Sequence, residues 1–173
     1  FHTTIMLIDA YKKGIRNFDA EKAFEGMKKN ALEGTMIPWK MGGLAPLDKK
    51  AHQLGYFPAL RPGEKETESQ VHDFEKRQAV AVTLAQSYDD WALAQFAKEL
   101  GKMDDYKFFL EKSQNYKNLY WHEKGFFMPK HEDGSWIDID PKFDGGMGGR
   151  DYYDENNGWT YLWNVQQDIL GLQ

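Results

Sequence analysis

The sequence has no cysteine at all. Disulfides, thiolate metal sites and a cysteine nucleophile are therefore excluded, although the absence of cysteine does not fix the compartment. It also lacks any apolar run of the roughly 18 residues that a membrane span needs. There is no basic excess either: 22 Lys and Arg stand against 27 Asp and Glu, for a net charge of -5. No overall positive field is available to hold nucleic acid or an anionic membrane. What is abundant is aromatic: 11 Phe, 9 Tyr and 6 Trp make up 15% of 173 residues. A chain so rich in rings is not disordered through its bulk. Its length allows one hydrophobic core.

The ends lie inside helical or apolar patterns, Phe1-His2-Thr3-Thr4 at one and Asp168-Ile169-Leu170-Gly171-Leu172-Gln173 at the other. Domains usually begin and end in polar, exposed chain, so the expectation is a piece of a longer protein. Missing targeting signals are then uninformative.

Five stretches carry a helical period. The first runs from about Thr3 to Lys13, stopped by Gly14. Asp19 is placed to cap a second, with Ala20, Ala23, Phe24, Met27 and Ala31 on one face, and Phe18 at the staple position. The short link between them predicts an antiparallel hairpin. From Thr35 to Arg77 proline, glycine and charge break the pattern, which predicts a long connection. Its first half, with Trp39, Leu44, Tyr56, Phe57 and Leu60, is expected to pack onto the core. Gln78 to Leu100 is apolar nearly all the way round, the mark of a helix surrounded by protein, and Gly101 ends it. Met103 to Tyr120 reads as its one-faced outer partner. Gly125 to Ile137 predicts a small β-hairpin turning at Asp133-Gly134. The glycine-rich stretch Asp138 to Arg150 reads as a flexible loop, and a last helix is expected from Glu155 or Asn156. A buried helix followed by an outer one, repeated, gives an all-α fold class: helix hairpins forming a toroid or bundle.

Several motifs offer chemistry. His122-Glu123 and His131-Glu132 do not continue as His-Glu-x-x-His and fall in turns, so a zinc-protease reading is not supported. Asp138-Ile139-Asp140 with Asp144 resembles a calcium loop only loosely, because Lys142 stands where an oxygen ligand belongs. Asp89-Asp90 within the buried helix requires pairing or hydrogen bonding. Two readings stay open for it: an internally satisfied pair, or a contact to sugar hydroxyls or metal at the lumen of the array. The segment from Asp151 to Trp163 concentrates three acids, two Asn and five aromatics. A carboxyl desolvated by rings has a raised pKa and can act as a general acid, and Trp faces stack on sugars. The same residues could serve as caps and core, and composition leaves both accounts open.

His2 with Asp9-Ala10-Tyr11-Lys12-Lys13-Gly14-Ile15-Arg16, then Gly55-Tyr56-Phe57-Pro58 and Tyr88-Asp89-Asp90-Trp91, form an ordered series of motifs. Gly125-Phe126-Phe127-Met128-Pro129-Lys130 and Glu155-Asn156-Asn157-Gly158-Trp159-Thr160-Tyr161 continue it. With this series, along nearly its whole length, the chain resembles glycoside hydrolase family 92, the calcium-dependent exo-α-mannosidases. The last segment resembles the family's Glu-x-Asn-Ala-Trp-Gln-Tyr motif.

The resemblance implies part of an (α/α)6 catalytic toroid, residues 1–173, with the family's N-terminal β-sandwich and the rest of the toroid as partners in its own chain. It implies an inverting hydrolase acting on α-mannoside glycans, with Glu155 as general acid. The candidate substrate contacts are Trp159, Asn157, Asp90, Trp91, Gln167 and His2. Calcium is implied as cofactor, with most of its ligands beyond Gln173 and none assigned within this stretch. The family's base lies in a downstream Gly-Asn-Asp-Asp-type motif, which this sequence lacks, so the segment alone is expected to be inactive. A periplasmic, cell-surface or secreted location is also implied. Gln166-Gln167 stand where the family has Pro-His, and the Thr35 to Arg77 stretch is longer and more charged than usual. Both bear on linkage and leaving group. The rival readings are another (α/α)6 inverting glycosidase, such as a trehalase-like one, and a non-catalytic carbohydrate- or protein-binding helical module.

Overall fold

The computed structural model describes residues 2–143 and 151–172. The acidic-loop residue Asp144 and the glycines expected to be flexible lie outside the described residues.

The centre of the fold is α4 (Ala79–Glu99), 21 residues long. Six alanines and four leucine or valine residues give it strong helix propensity and no preferred wet face. It is buried over most of its surface, from Ala79, Val80, Leu84 and Ser87 to Ala92, Leu93, Phe96 and Ala97, while Ala85, Gln86, Tyr88, Asp89 and Trp91 are partly exposed. Around it pack α1 (Thr3–Lys12), α2 (Ala20–Glu33) and α5 (Met103–Lys112). Asp19 caps α2 as expected, its carboxylate accepting from Lys22 N–H at 3.0 Å. The expected hairpin of α1 and α2 is looser than predicted, because each packs chiefly on α4 rather than on the other. Phe96 of α4 explains this: Tyr11 from α1 and Phe24 from α2 both meet its ring, at 5.2 and 6.1 Å between centroids.

The outer partner of α4 is shorter as an α-helix than its pattern suggests. It ends at Lys112 and tightens into a 3-10 stretch, Ser113–Leu119. The Ser113 hydroxyl donates back to the Leu110 carbonyl at 2.6 Å, a local bond that competes with the α-helical ladder. Tyr116 and Leu119 remain on the buried face, so the amphipathic reading holds through the change of helix type.

The 35–77 connection contains a helix the sequence reading lacked, α3 (Pro46–Leu54). Pro46 opens it and Gly55, at φ 72°, closes it. The fully buried Asp48 ties this segment together, accepting from Met36 N–H at 2.7 Å and Ala45 N–H at 2.8 Å. Tyr56 and Phe57 are buried as expected, whereas Trp39 is 82% exposed at the tip of the loop. A small hairpin is present, displaced toward the N-terminus: β1 (Tyr120–Trp121) pairs antiparallel with β2 (Phe126–Phe127). The expected reversal at Asp133-Gly134 forms a single bridge between Lys130 and Trp136. The last helix is one turn only, α6 (Gly158–Tyr161). The chain is all-α in character, with helix hairpins on an inner helix, long loops and one two-stranded hairpin.

Candidate functional site

One face of α4, at Gln78, Ala81, Ala85 and Tyr88, follows the i, i+3, i+4 spacing and looks into a cavity of about 500 Å3. His2 and Met6 from the start of α1 close one side, and Asp154, Tyr161, Asn164 and Gln166 close the other. That volume lies within the ordinary range for small-molecule sites.

The acidic and aromatic segment is held against the cavity by hydrogen bonds from three directions. Two N–H groups in the first turn of α4, those of Val80 and Ala81, donate to the Tyr152 carbonyl at 2.8 and 3.3 Å. These groups have no partner within their own helix, so the contact satisfies them. The Tyr152 hydroxyl donates to Leu60 O at 2.9 Å, and the Tyr153 hydroxyl to Phe127 O at 2.7 Å. The Tyr161 hydroxyl accepts from Asp154 N–H at 3.1 Å and donates to its carbonyl at 3.2 Å. Three of the rings thus have a mechanical role: each fixes backbone next to Glu155. Burial pushes the Tyr153 hydroxyl above its ordinary value, aided by Tyr161, so it stays a neutral donor at any physiological pH.

Glu155 itself sits at φ 55°, a left-handed conformation that is uncommon for a residue with a side chain. It is exposed, so the rings of this chain do not enclose it. The next residues form the cap of α6. Asn157 Oδ1 accepts from Trp159 N–H at 3.1 Å, while its Nδ2 donates to Lys142 O at 3.1 Å. Asn156 Oδ1 accepts from the Thr160 hydroxyl at 2.7 Å. Gly158 N–H donates to Pro141 O at 2.6 Å, and a Cβ at Gly158 would stand 2.8 Å from that oxygen.

The remaining candidates fall into two groups. His2 lines the cavity, its backbone N–H donating to both oxygens of Asp89 at 3.2 and 3.1 Å. Trp159 is half exposed and does not line the cavity; its ring lies edge-on to Phe126 at 5.0 Å. Trp91 stacks on the cavity residue Tyr88, with centroids 6.0 Å apart. Asp90 is fully buried and takes no part in the cavity wall. It points away from the cavity toward Lys112 at the end of α5; Gln86, one turn earlier on α4, donates from Nε2 to its Oδ1 at 3.0 Å, and Oδ2 has no hydrogen-bond partner among the described residues. Burial raises its carboxyl to about 7, against the opposing pull of Lys112 and Gln86. Gln167 is partly buried, both polar atoms of its amide without a described partner, and its neighbour Gln166 is the one at the cavity. Gln78, Tyr88, Asp154 and Asn164 were missed by the sequence reading. Gln78 and Tyr88 fall on one stripe with Ala81 and Ala85, a periodicity visible in the sequence that does not by itself say whether the stripe faces core or cavity.

Among the described residues, no three His, Asp or Glu side chains converge so as to hold a metal ion. Asp89 is taken by His2, and Asp90 faces away from the cavity. The donors present here do not fit a calcium ion on their own. His131 lies between Glu64 and Asp133, at 3.4 and 3.3 Å, in a cluster of polar side chains away from the cavity.

An inner helix that walls a cavity, with Asp154 and Tyr161 of an acidic and aromatic segment on its border, defines the class: part of an all-α array of helix hairpins. The chain belongs to glycosyl hydrolase family 92, whose sequence model, described as the family's catalytic domain, matches residues 1–173. Among solved structures it is similar to a family 92 inverting mannosidase from Bacteroides thetaiotaomicron, at 32% identity and a TM-score of 0.77. That match covers 99% of this chain and 21% of the other. It is also similar to an α-mannosidase of the same family and organism determined with mannoimidazole, at 28% identity, a TM-score of 0.77 and coverage of 99% and 20%. A curated relative, an uncharacterized secreted glycosidase of Arthroderma benhamiae, is 27% identical over 79% of this chain and 18% of its own length. The chain therefore spans about a fifth of the proteins it matches.

Proposed function

We propose that this chain is part of the catalytic toroid of a glycosidase that removes terminal mannose from α-mannosides with inversion, and that Glu155 is its general acid. The observation that carries the reading is the mounting of Glu155. It follows Asp154, which lines the cavity, and its backbone is fixed on one side by α4 and on the other by the Asn157 cap. The family match over residues 1–173 and the mannosidase neighbours support the substrate class.

In an inverting reaction the protonated Glu155 carboxyl gives its proton to the glycosidic oxygen as the C1–O bond breaks. A water attacks C1 from the opposite face, and its proton passes to a second carboxylate about 6.5–9.5 Å from the first. No residue of this chain is assigned that role. Trp159, half exposed, offers a ring for stacking, and His2 lines the cavity. Calcium dependence is proposed for the whole protein only, with ligands outside the described residues. The secreted relative and the glycan substrate favour an extracytoplasmic location.

The test is mannose release from α-linked mannosides by the full-length protein, with and without a chelator, beside Glu155→Gln. Glutamine keeps the shape and loses the proton, so kcat on substrates with poor leaving groups should fall by about 100-fold or more. A Glu155→Gln enzyme as active as the parent would remove Glu155 from the reaction, and activity insensitive to chelation would remove calcium.

A further inference from the structure

The start of α1 stands against the cavity with His2, Ile5 and Met6, and one carboxylate pins it to α4. The two Asp89 oxygens accept from the His2 backbone N–H at 3.2 and 3.1 Å, and Oδ1 also lies 3.4 Å from Nδ1 of the His2 ring. A single acid thus holds both the backbone and the imidazole of one cavity residue. The His2 ring rests against Tyr88, centroids 6.3 Å apart, and Tyr88 in turn stacks on Trp91 at 6.0 Å.

This arrangement is held against a cost. His2 has φ 69°, a left-handed backbone that glycine would take without strain, and its side chain makes no cap bond to α1 in return. The Asp89 side chain is only 13% exposed, and among the described residues no lysine or arginine pairs with it. The first turn of α1 contains no acidic residue, so its positive end takes from α4 the negative charge that its own sequence does not supply. The two residues therefore support each other. The His2 strain is tolerated because Asp89 receives the N–H, and the Asp89 carboxylate tolerates burial because His2 donates to it. Asp90, one position on, faces Lys112 and takes no part.

We propose that Asp89 is a positioning residue: by clamping His2 it fixes the imidazole in the cavity wall, where the ring meets the substrate, while Asp89 itself does not touch the sugar. The proposal rests on the glycosidase reading. It chooses between the two roles left open for the acids of α4, an internal partner and a direct contact to sugar or metal.

The test is a double-mutant cycle on the full-length protein with an aryl α-mannoside, comparing KM and kcat of Asp89→Ala, His2→Ala and the double variant. His2→Ala removes the ring and keeps the backbone N–H. If Asp89 acts through the ring, each single variant should raise KM about tenfold, kcat should stay within about twofold, and the double variant should be no worse than either. Asp89→Asn, whose amide oxygen still accepts from the His2 N–H, should recover most of the loss, with KM about threefold above the parent. Where Asp89→Ala lowers the folded yield, Asp89→Asn with His2→Ala closes the same cycle at smaller amplitude. A KM rise in the double variant equal to the product of the single rises overturns the positioning role, because Asp89 then acts on its own. A KM unaltered by Asp89→Ala overturns it too, as does a fall in kcat alone with a lower urea midpoint, the mark of a scaffold residue. In each of these cases the wild type still releases mannose and the glycosidase reading stands; a wild type that releases none overturns both.

Discussion

Asp90→Asn should make the protein more stable at pH 8 and remove a pH dependence that the parent shows between about pH 4 and 7. The Asp90 carboxyl is fully buried, holds one hydrogen bond from Gln86, and has its second oxygen without a described partner. Burial raises it from an ordinary 3.8 to about 7; Lys112 and Gln86 oppose the rise and Asp89 adds to it. Between those two values the folded protein keeps a proton that the unfolded chain has released. Stability therefore falls as pH rises through this window, by about 4 kcal/mol for three pH units, and is level above it. Asparagine keeps the shape, is neutral throughout, and leaves Gln86 an acceptor. The attraction to Lys112 that the substitution sacrifices is already contained in the shift. At pH 8 the variant should gain about 2–4 kcal/mol, and near pH 4.5 the two proteins should differ by less than about 1 kcal/mol. Urea unfolding of the full-length protein at both pH values, followed by helical circular dichroism, measures the difference. Parallel stability curves for parent and variant, with no narrowing toward low pH, would refute the assignment of a buried, proton-holding carboxyl.

Two further substitutions probe the scaffold. Asp48→Ala leaves the buried N–H groups of Met36 and Ala45 without their acceptor and should destabilise by about 2–4 kcal/mol, read as a lower urea midpoint; a midpoint unchanged within error contradicts the clasp. Gly158→Ala drives a methyl against the Pro141 carbonyl and the Phe126 ring, at 2.8 and 3.0 Å, and should cost about 1–3 kcal/mol with a matching loss of mannose release. An alanine variant of full activity would show that the 141–143 backbone yields freely.

The helices were legible where one physical signal dominated. An apolar run as long as Gln78 to Leu100 can satisfy itself only as an enclosed helix, and α4 lies within a residue of its expected bounds. Asp19 before an amphipathic stretch fixed the start of α2 for the same reason. α3 was hidden because its cues, Pro46 at the first position and Asp48 two residues on, sit in a stretch whose many prolines and glycines read as loop. The displaced hairpin and the single turn of α6 are cases where tertiary bonds overrode local pattern: Gly158 is committed to Pro141, and Tyr161 to Asp154. At the site, residue types marked the right segment but not the direction of each side chain. Adjacent positions on a helix point about 100° apart, so Asp89 reaches His2 while Asp90 faces α5. The Gln78 and Tyr88 stripe could be read as a cavity wall only once the elements opposite it were placed.

Five residues other than glycine hold a left-handed backbone among the described residues: His2, Trp39, Lys76, Gln78 and Glu155. Three of them line a cleft, His2 and Gln78 the first cavity and Lys76 the neighbouring one beside Arg77 and Tyr152, and Glu155 follows Asp154 of the first. Glycine in their place would relieve about 1–2 kcal/mol each, more than the roughly 0.4–1 kcal/mol of chain entropy it returns to the unfolded state. Under selection for heat resistance alone, these are the positions the protein would surrender to glycine first. Under selection for turnover they are the ones it would surrender last. A library screened both ways would thus outline the binding rims by disagreement between the two screens, with no ligand needed to find them.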